Sequence, residues 1–65
     1  MTVIIHTPAS GSVVINISEY EFQKYIKNGV VSKMQFILAK RSAMTRAQAK
    51  EFLSNGFSTK VVRNE

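Results

Sequence analysis

Apolar and polar residues alternate with a period of two at the start of the chain, then shift to helical spacing. Thr2 to Thr7 and residues 12–17 are rich in β-branched side chains, with Pro8-Ala9-Ser10-Gly11 between them. That pattern predicts a β-hairpin with a turn cluster at its tip. Val13, Ile15 and Ile17 alternate with Val14 and Asn16, so one face of the second strand is apolar and the other mixed. Val3 and Ile5 are expected on that apolar face, with Ile4 and His6 opposite.

Three helix starts follow, each with the same chemistry. Ser18 stands three residues before Glu21, Ser32 before Gln35, and Thr45 before Gln48. Each pair has the form of a capping box, in which a hydroxyl accepts from a first-turn N–H and the longer side chain reaches back to the cap. Ile17, Val31 and Met44 precede the caps, and Phe22, Phe36 and Ala49 stand where a hydrophobic staple would close. Helix one is expected over residues 19–28, with Phe22, Tyr25 and Ile26 on one face and Gly29 as its terminator. Helix two is expected over 33–42, burying Met34, Ile37 and Leu38. Helix three is expected over 46–55, burying Ala49, Phe52 and Leu53 and ending at Gly56. The tail from Phe57 to Val62 reads as a strand that joins the hairpin.

The expected class is therefore α+β: an amino-terminal hairpin, three short helices and a carboxy-terminal strand. An alternative rests on a weak repeat, in which Tyr25-Ile26-Lys27-Asn28-Gly29-Val30 parallels Phe52-Leu53-Ser54-Asn55-Gly56-Phe57. If strands follow both glycines, Met34, Phe36 and Leu38 alternate as a strand and the order becomes ββαβαβ. The helix-favouring Lys, Met, Gln, Leu, Ala and Arg of residues 33–42 argue for the first order.

Length and composition narrow the classes of function. A chain of 65 residues is expected to form one domain, 1–65, with a small core and possible homodimer formation to bury more surface. It has no cysteine, so a disulfide framework and thiolate metal sites are excluded. No apolar run approaches the roughly 18 residues that a membrane span needs. Met1-Thr2-Val3-Ile4-Ile5-His6 lacks the basic segment and apolar core of a secretory signal. The expectation is a cytoplasmic protein with no membrane partner.

The net charge of +5 is unevenly spread. In residues 1–32, Lys24 and Lys27 balance Glu19 and Glu21. In residues 33–65, seven cations (Lys33, Lys40, Arg41, Arg46, Lys50, Lys60, Arg63) outweigh Glu51 and Glu65, which gives 7 − 2 = +5. An anionic partner is expected to meet the second half.

Enzymatic chemistry lacks its parts. There is one histidine, His6, and no aspartate, so a Ser-His-Asp arrangement and the usual metal-ligand sets are missing. Glu19 and Glu21 lie where a helix N-terminus favours negative charge, which accounts for them structurally. No cofactor motif is present, because Gly11 stands without the other glycines and the lysine of a phosphate loop. Among the aromatics, helical spacing sends Phe22, Tyr25 and Phe52 to the core and leaves Tyr20 as the one expected in solvent.

Two helices joined by a tight turn, Gln35 to Leu53, carry much of the positive charge, and their spacing fits a helix-turn-helix. This segment resembles the helix-turn-helix of small phage repressors of the Cro type. Gln35 matches the residue that opens the first helix, Ala39 the small residue at the crossing, and Met44 the apolar residue of the turn. Thr45 matches the cap, and Ala49 and Phe52 the buried positions of the recognition helix. Ala43 stands where that family usually has a glycine, Ser42 where an apolar residue is common, and the hairpin lies outside its pattern. Met44 to Lys50 also looks like the second helix of HU-type histone-like proteins, where such helices serve dimerisation.

The Cro-type resemblance implies duplex DNA as partner. It implies that Thr45, Arg46, Ala47 and Lys50 form the groove-facing side of helix three, with Arg46 on guanine. It implies that Lys33 and Gln35 face a phosphate, and that Lys50 with Lys40 or Arg41 contacts the backbone. The expected function is a small DNA-binding regulator. The alternative is a non-enzymatic interaction module, such as a phage-type inhibitor, that docks its basic face on an acidic protein surface.

Overall fold

The computed structural model describes residues 1–62. Strands β1 (Thr2–Thr7) and β2 (Gly11–Asn16) form the hairpin. Helix α1 begins as an α-turn at Glu19–Glu21 and widens into a π-helical turn at Phe22–Ile26. Helices α2 (Val31–Arg41) and α3 (Arg46–Leu53) follow, and strand β3 (Ser58–Val62) closes the chain order. All pairing is antiparallel, in the order β2-β1-β3, so the fold is mixed α+β with β1 at the centre of the sheet.

The alternating pattern explains which sheet face is covered. Val3 sits opposite Ile15 on one side and Val61 on the other, and Ile5 opposite Val13 and Thr59. Val3, Ile5 and Ile15 are essentially sealed from solvent, with Val13 and Val61 packed against them at the rim. The Ile17 N–H donates to the Met1 carbonyl at 2.9 Å, extending the ladder one step past the strands. Thr7 is the buried polar exception at the hairpin tip: its hydroxyl donates to the Gly11 carbonyl at 3.2 Å and accepts from the Ser10 N–H at 3.2 Å. A buried hydroxyl is tolerable because both of its roles are filled.

The helices supply the other half of the core. Ile26 from α1, Met34, Ile37 and Leu38 from α2, and Ala49, Phe52 and Leu53 from α3 are buried. Met34, Ile37, Leu38 and Arg41 follow the three-and-four spacing of a single helical stripe. Fully burying side chains of this size stabilises by about 1.5–3 kcal/mol each. Helix α2 touches α1, α3 and β2, and so lies at the middle of the helical layer.

Two of the three expected capping boxes form. Ser18 accepts from the Glu21 N–H at 3.1 Å while Glu21 accepts from the Ser18 N–H at 3.1 Å. Thr45 accepts from the Gln48 N–H at 3.1 Å, and Gln48 accepts from the Thr45 N–H at 2.8 Å. The Ser32/Gln35 pair does not cap. Helix α2 begins two residues earlier than expected, at Val31, with Val30 as an N-cap that makes no side-chain hydrogen bond. The Met34 N–H instead donates to the Val30 carbonyl at 3.0 Å, and Ser32 stands exposed inside the first turn.

Residues 31–41 are helical, so the ββαβαβ order does not occur. Gly29 and Gly56 follow α1 and α3 with φ of 66° and 91°, the left-handed conformation that ends a helix without a Cβ clash. Phe36 departs from expectation. It is 41% exposed, on the flank of α2 beside α1, and so joins Tyr20 among the aromatics at the surface.

A charged clamp ties α1 to α2. The Arg41 guanidinium donates to both carboxylate oxygens of Glu21, from Nη2 at 3.0 and 2.9 Å and from Nε at 3.2 Å. The Lys40 ammonium stands 3.9 Å away. Glu21 is only 8% exposed, a burial that a carboxylate tolerates when its lone pairs are filled by donors. The Ser18 N–H first, and then the Arg41 hydrogen bonds, hold its pKa below the ordinary value of 4.5.

A carboxylate whose pKa is lower in the folded than in the unfolded chain stabilises the fold while it is ionised, because protonation favours the unfolded chain. That contribution is complete above pH 4.5 and is lost as the pH falls through the lower folded value. The urea midpoint should therefore drop on acidification below about pH 4.5, and Glu21→Gln should flatten that drop while lowering the midpoint at pH 7. Thr45 offers a separate check. Thr45→Ala should cost about 1 kcal/mol in urea unfolding through loss of the α3 cap.

Candidate nucleic-acid interface

Ala49, Phe52 and Leu53 turn one side of α3 into the core, and this decides what its other side presents. At 3.6 residues per turn, Arg46, Lys50 and Ala47 span roughly 100°, from the flank beside Leu53 round to the side opposite the core. All three are exposed, as is the cap Thr45. Arg46 and Lys50 are one turn apart, and α3 has no acidic residue in its first turn. Both ion pairs among the described residues go to Glu21, so neither Arg46 nor Lys50 is neutralised by a carboxylate there. Glu51, also exposed, borders this strip beyond Ala47.

The remaining four expected site residues lie elsewhere. Lys33 is exposed and Gln35 half-buried. Two positions apart on a helix they point about 200° from each other, so they do not present one phosphate-facing surface. Lys40 and Arg41 are turned toward Glu21, with side-chain exposures of 53% and 41%. Arg41 spends its guanidinium fork on the fold. Of the eight residues, Thr45, Arg46, Ala47 and Lys50 are brought together by α3.

The link between α2 and α3 is short and extended at both ends. Ser42 has φ −130° and ψ 165°, and Thr45 φ −78° and ψ 168°. No described non-glycine residue has a positive φ, so Ala43 makes the turn without the left-handed backbone that a glycine would serve. Met44 is half-buried against the core.

A second cluster was hidden from sequence reading. The Tyr25 and Phe36 rings stack with centroids 5.3 Å apart at 28°. The Lys24 ammonium lies 5.5 Å from the Tyr25 centroid and 5.6 Å from that of Tyr20. It also donates to the Tyr20 hydroxyl at 3.4 Å, and this contact holds the Lys24 pKa above its usual value. The π-helical turn explains the grouping. Widening the ladder to an i→i+5 bond, from the Lys27 N–H to the Phe22 carbonyl at 2.9 Å, brings residues 24 and 25 together above residue 20. The available signal was Phe36 itself, out of phase with the buried stripe of α2.

Other polar groups are accounted for locally. His6 is exposed, with Nδ1 2.8 Å from the Ser12 hydroxyl on the outer sheet face. An open depression lined by Ser10, Met44, Gln48, Glu51 and Phe52 holds a single carboxylate and no base to pair with it. Among the described residues no three His, Cys, Asp or Glu side chains converge as metal ligands, and no helix is long and apolar enough to cross a membrane. No family model matches this chain, and neither the curated proteins nor the solved structures searched gave a significant match.

Proposed function

We propose that this protein is a small basic DNA-binding regulator that lays the outward side of α3 in the major groove. The observation that supports this most directly is the pair Arg46 and Lys50, set one turn apart on an exposed helix and engaged by no carboxylate among the described residues. The major groove of B-DNA admits one α-helix, and an arginine reads guanine there through two parallel hydrogen bonds. Arg46 takes that role, Lys50 neutralises a phosphate, and Ala47 allows close approach. Helix α2 is the support behind α3 in a helix-turn-helix arrangement, with Arg41 anchoring it to α1 rather than contacting DNA.

Eight helical residues span about 12 Å, and base pairs repeat every 3.4 Å or so, so α3 reaches only about three or four of them. A single copy therefore reads too short a site for useful specificity, and the working form is a homodimer on two half-sites. The proposed place of action is the cytoplasm.

A gel-shift salt series on duplex DNA tests this. Affinity should fall steeply with salt, with log K dropping by about 0.9 per phosphate contact for each unit of log salt. Arg46→Ala should lose about 1–3 kcal/mol of discrimination at one base pair, whereas Lys50→Ala should weaken every sequence alike and reduce the slope by about one. Lys33→Ala should change little. No binding at low salt, or a Lys33 effect as large as that of Arg46, would sink the proposal.

A further inference from the structure

The α1/α2 face carries a second surface that α3 does not share. Tyr20 is 68% exposed and Phe36 41%, unusual for side chains of that size in a domain whose other large apolar groups are mostly inside. They are joined through Lys24 and Tyr25 into one continuous run of contacts. Lys33 and Lys40 stand three before and four after Phe36, on the same side of α2. The carboxylates nearby leave this charge largely uncompensated. Glu21 is shared by Arg41 and Lys40, one anion against two cations, and Glu19 is the other acid on α1.

We propose that this ridge, Tyr20–Lys24–Tyr25–Phe36, is a docking surface for an acidic protein segment that carries aliphatic side chains. Charge complementarity selects the sign of the partner. Lys24, Lys33 and Lys40 flank the apolar strip, and a segment rich in glutamate or aspartate supplies the anions while its aliphatic groups cover the ring edges. A second copy of this chain is disfavoured, because like faces would set these lysines against one another.

Single-stranded nucleic acid also combines phosphates with groups that stack on aromatic rings. Tyr25 and Phe36 stack on each other, and the Lys24 ammonium lies over Tyr20 and Tyr25, so at least one face of each ring is already in use. The open ring surface stands beside lysine ammoniums, which suits carboxylates and aliphatic groups, and stacking of bases on it is the rival outcome that oligo-dT tests.

Both tyrosines of the chain lie in this ridge and there is no tryptophan, so intrinsic tyrosine fluorescence reports on it directly. The full chain would be titrated with a short synthetic peptide of glutamate and leucine, with the same peptide carrying glutamine for glutamate, and with oligo-dT. The proposal expects a saturable change with the acidic peptide, weakened by salt, and at least about tenfold weaker binding of the glutamine peptide. Lys24→Gln and Phe36→Ser should each weaken the acidic peptide about tenfold, with unchanged circular dichroism. If Phe36→Ser unfolds, Lys24→Gln decides alone. Arg46→Ala should leave peptide binding intact, which separates this surface from the DNA reading of α3. The proposal is overturned if the glutamine peptide binds equally well, if Lys24→Gln binds as the parent does, if oligo-dT saturates the signal and the acidic peptide does not, or if the signal follows self-association.

Discussion

The structure depends on one act of burial: Met34, Ile37 and Leu38 of α2 closing over the apolar face of the sheet and its neighbouring helices. These three side chains are sealed from solvent, as are Val3 and Ile5 on the central strand. A chain of 65 residues has little apolar area to spare, so the helix that contributes most to the core sets the frame for the others. Helix α2 starts at Val31, although Ser32 is the better capping residue. It also leaves α1 and α3 to pack around α2, each with one side free.

The clamp between Glu21 and Arg41 follows from that frame and changes what the charges mean. Summed along the chain, the second half holds the whole excess of five positive charges. Folding carries one carboxylate from the neutral first half onto the last turn of α2, where it engages Arg41 and stands near Lys40. The basic second half is thereby divided. Arg46 and Lys50 remain on α3, while Lys33 and Lys40 are left on the other flank of α2 around Phe36. A charge total cannot make that division, because it depends on which helices touch.

Local patterns were legible wherever one short segment decides its own structure. Period-two alternation placed Val3, Ile5 and Ile15 in the core, helical spacing placed Met34, Ile37 and Leu38 there, and the pairs Ser18/Glu21 and Thr45/Gln48 marked true helix starts. That a last strand joins the hairpin was also readable, from a β-branched tail after a terminating glycine, but not that it pairs with β1. What escaped was tertiary. Ser32/Gln35 has the same local form as the other two caps, and only packing tells it apart. Glu21 and Arg41 stand twenty positions apart, which hides their pairing from any short window, and the meeting of Tyr25 with Phe36 is hidden likewise. Of the site, the α3 strip was visible because it is local to one helix. The division of the α2 cations was not.

The π-helical turn shows how a small fold places groups that its core does not use. An ordinary α-turn at Phe22–Ile26 would advance each residue by 100°, and keeping Ile26 in the core would swing Tyr25 away from Lys24's neighbour Tyr20. The wider turn reconciles the two demands: Ile26 stays 2% exposed while Lys24 lies over both tyrosine rings and Tyr25 meets Phe36. Such turns have poorer geometry than an α-helix and persist when surrounding contacts favour them. Here the contacts on the inner side are apolar, and those on the outer side are a ring stack and a cation over two rings. Either turn can bury Ile26, so what the wide turn adds is the outer set of contacts, in which Tyr25 meets Phe36 and shares Lys24 with Tyr20. The aromatic ridge is therefore the feature that distinguishes this turn from an ordinary one.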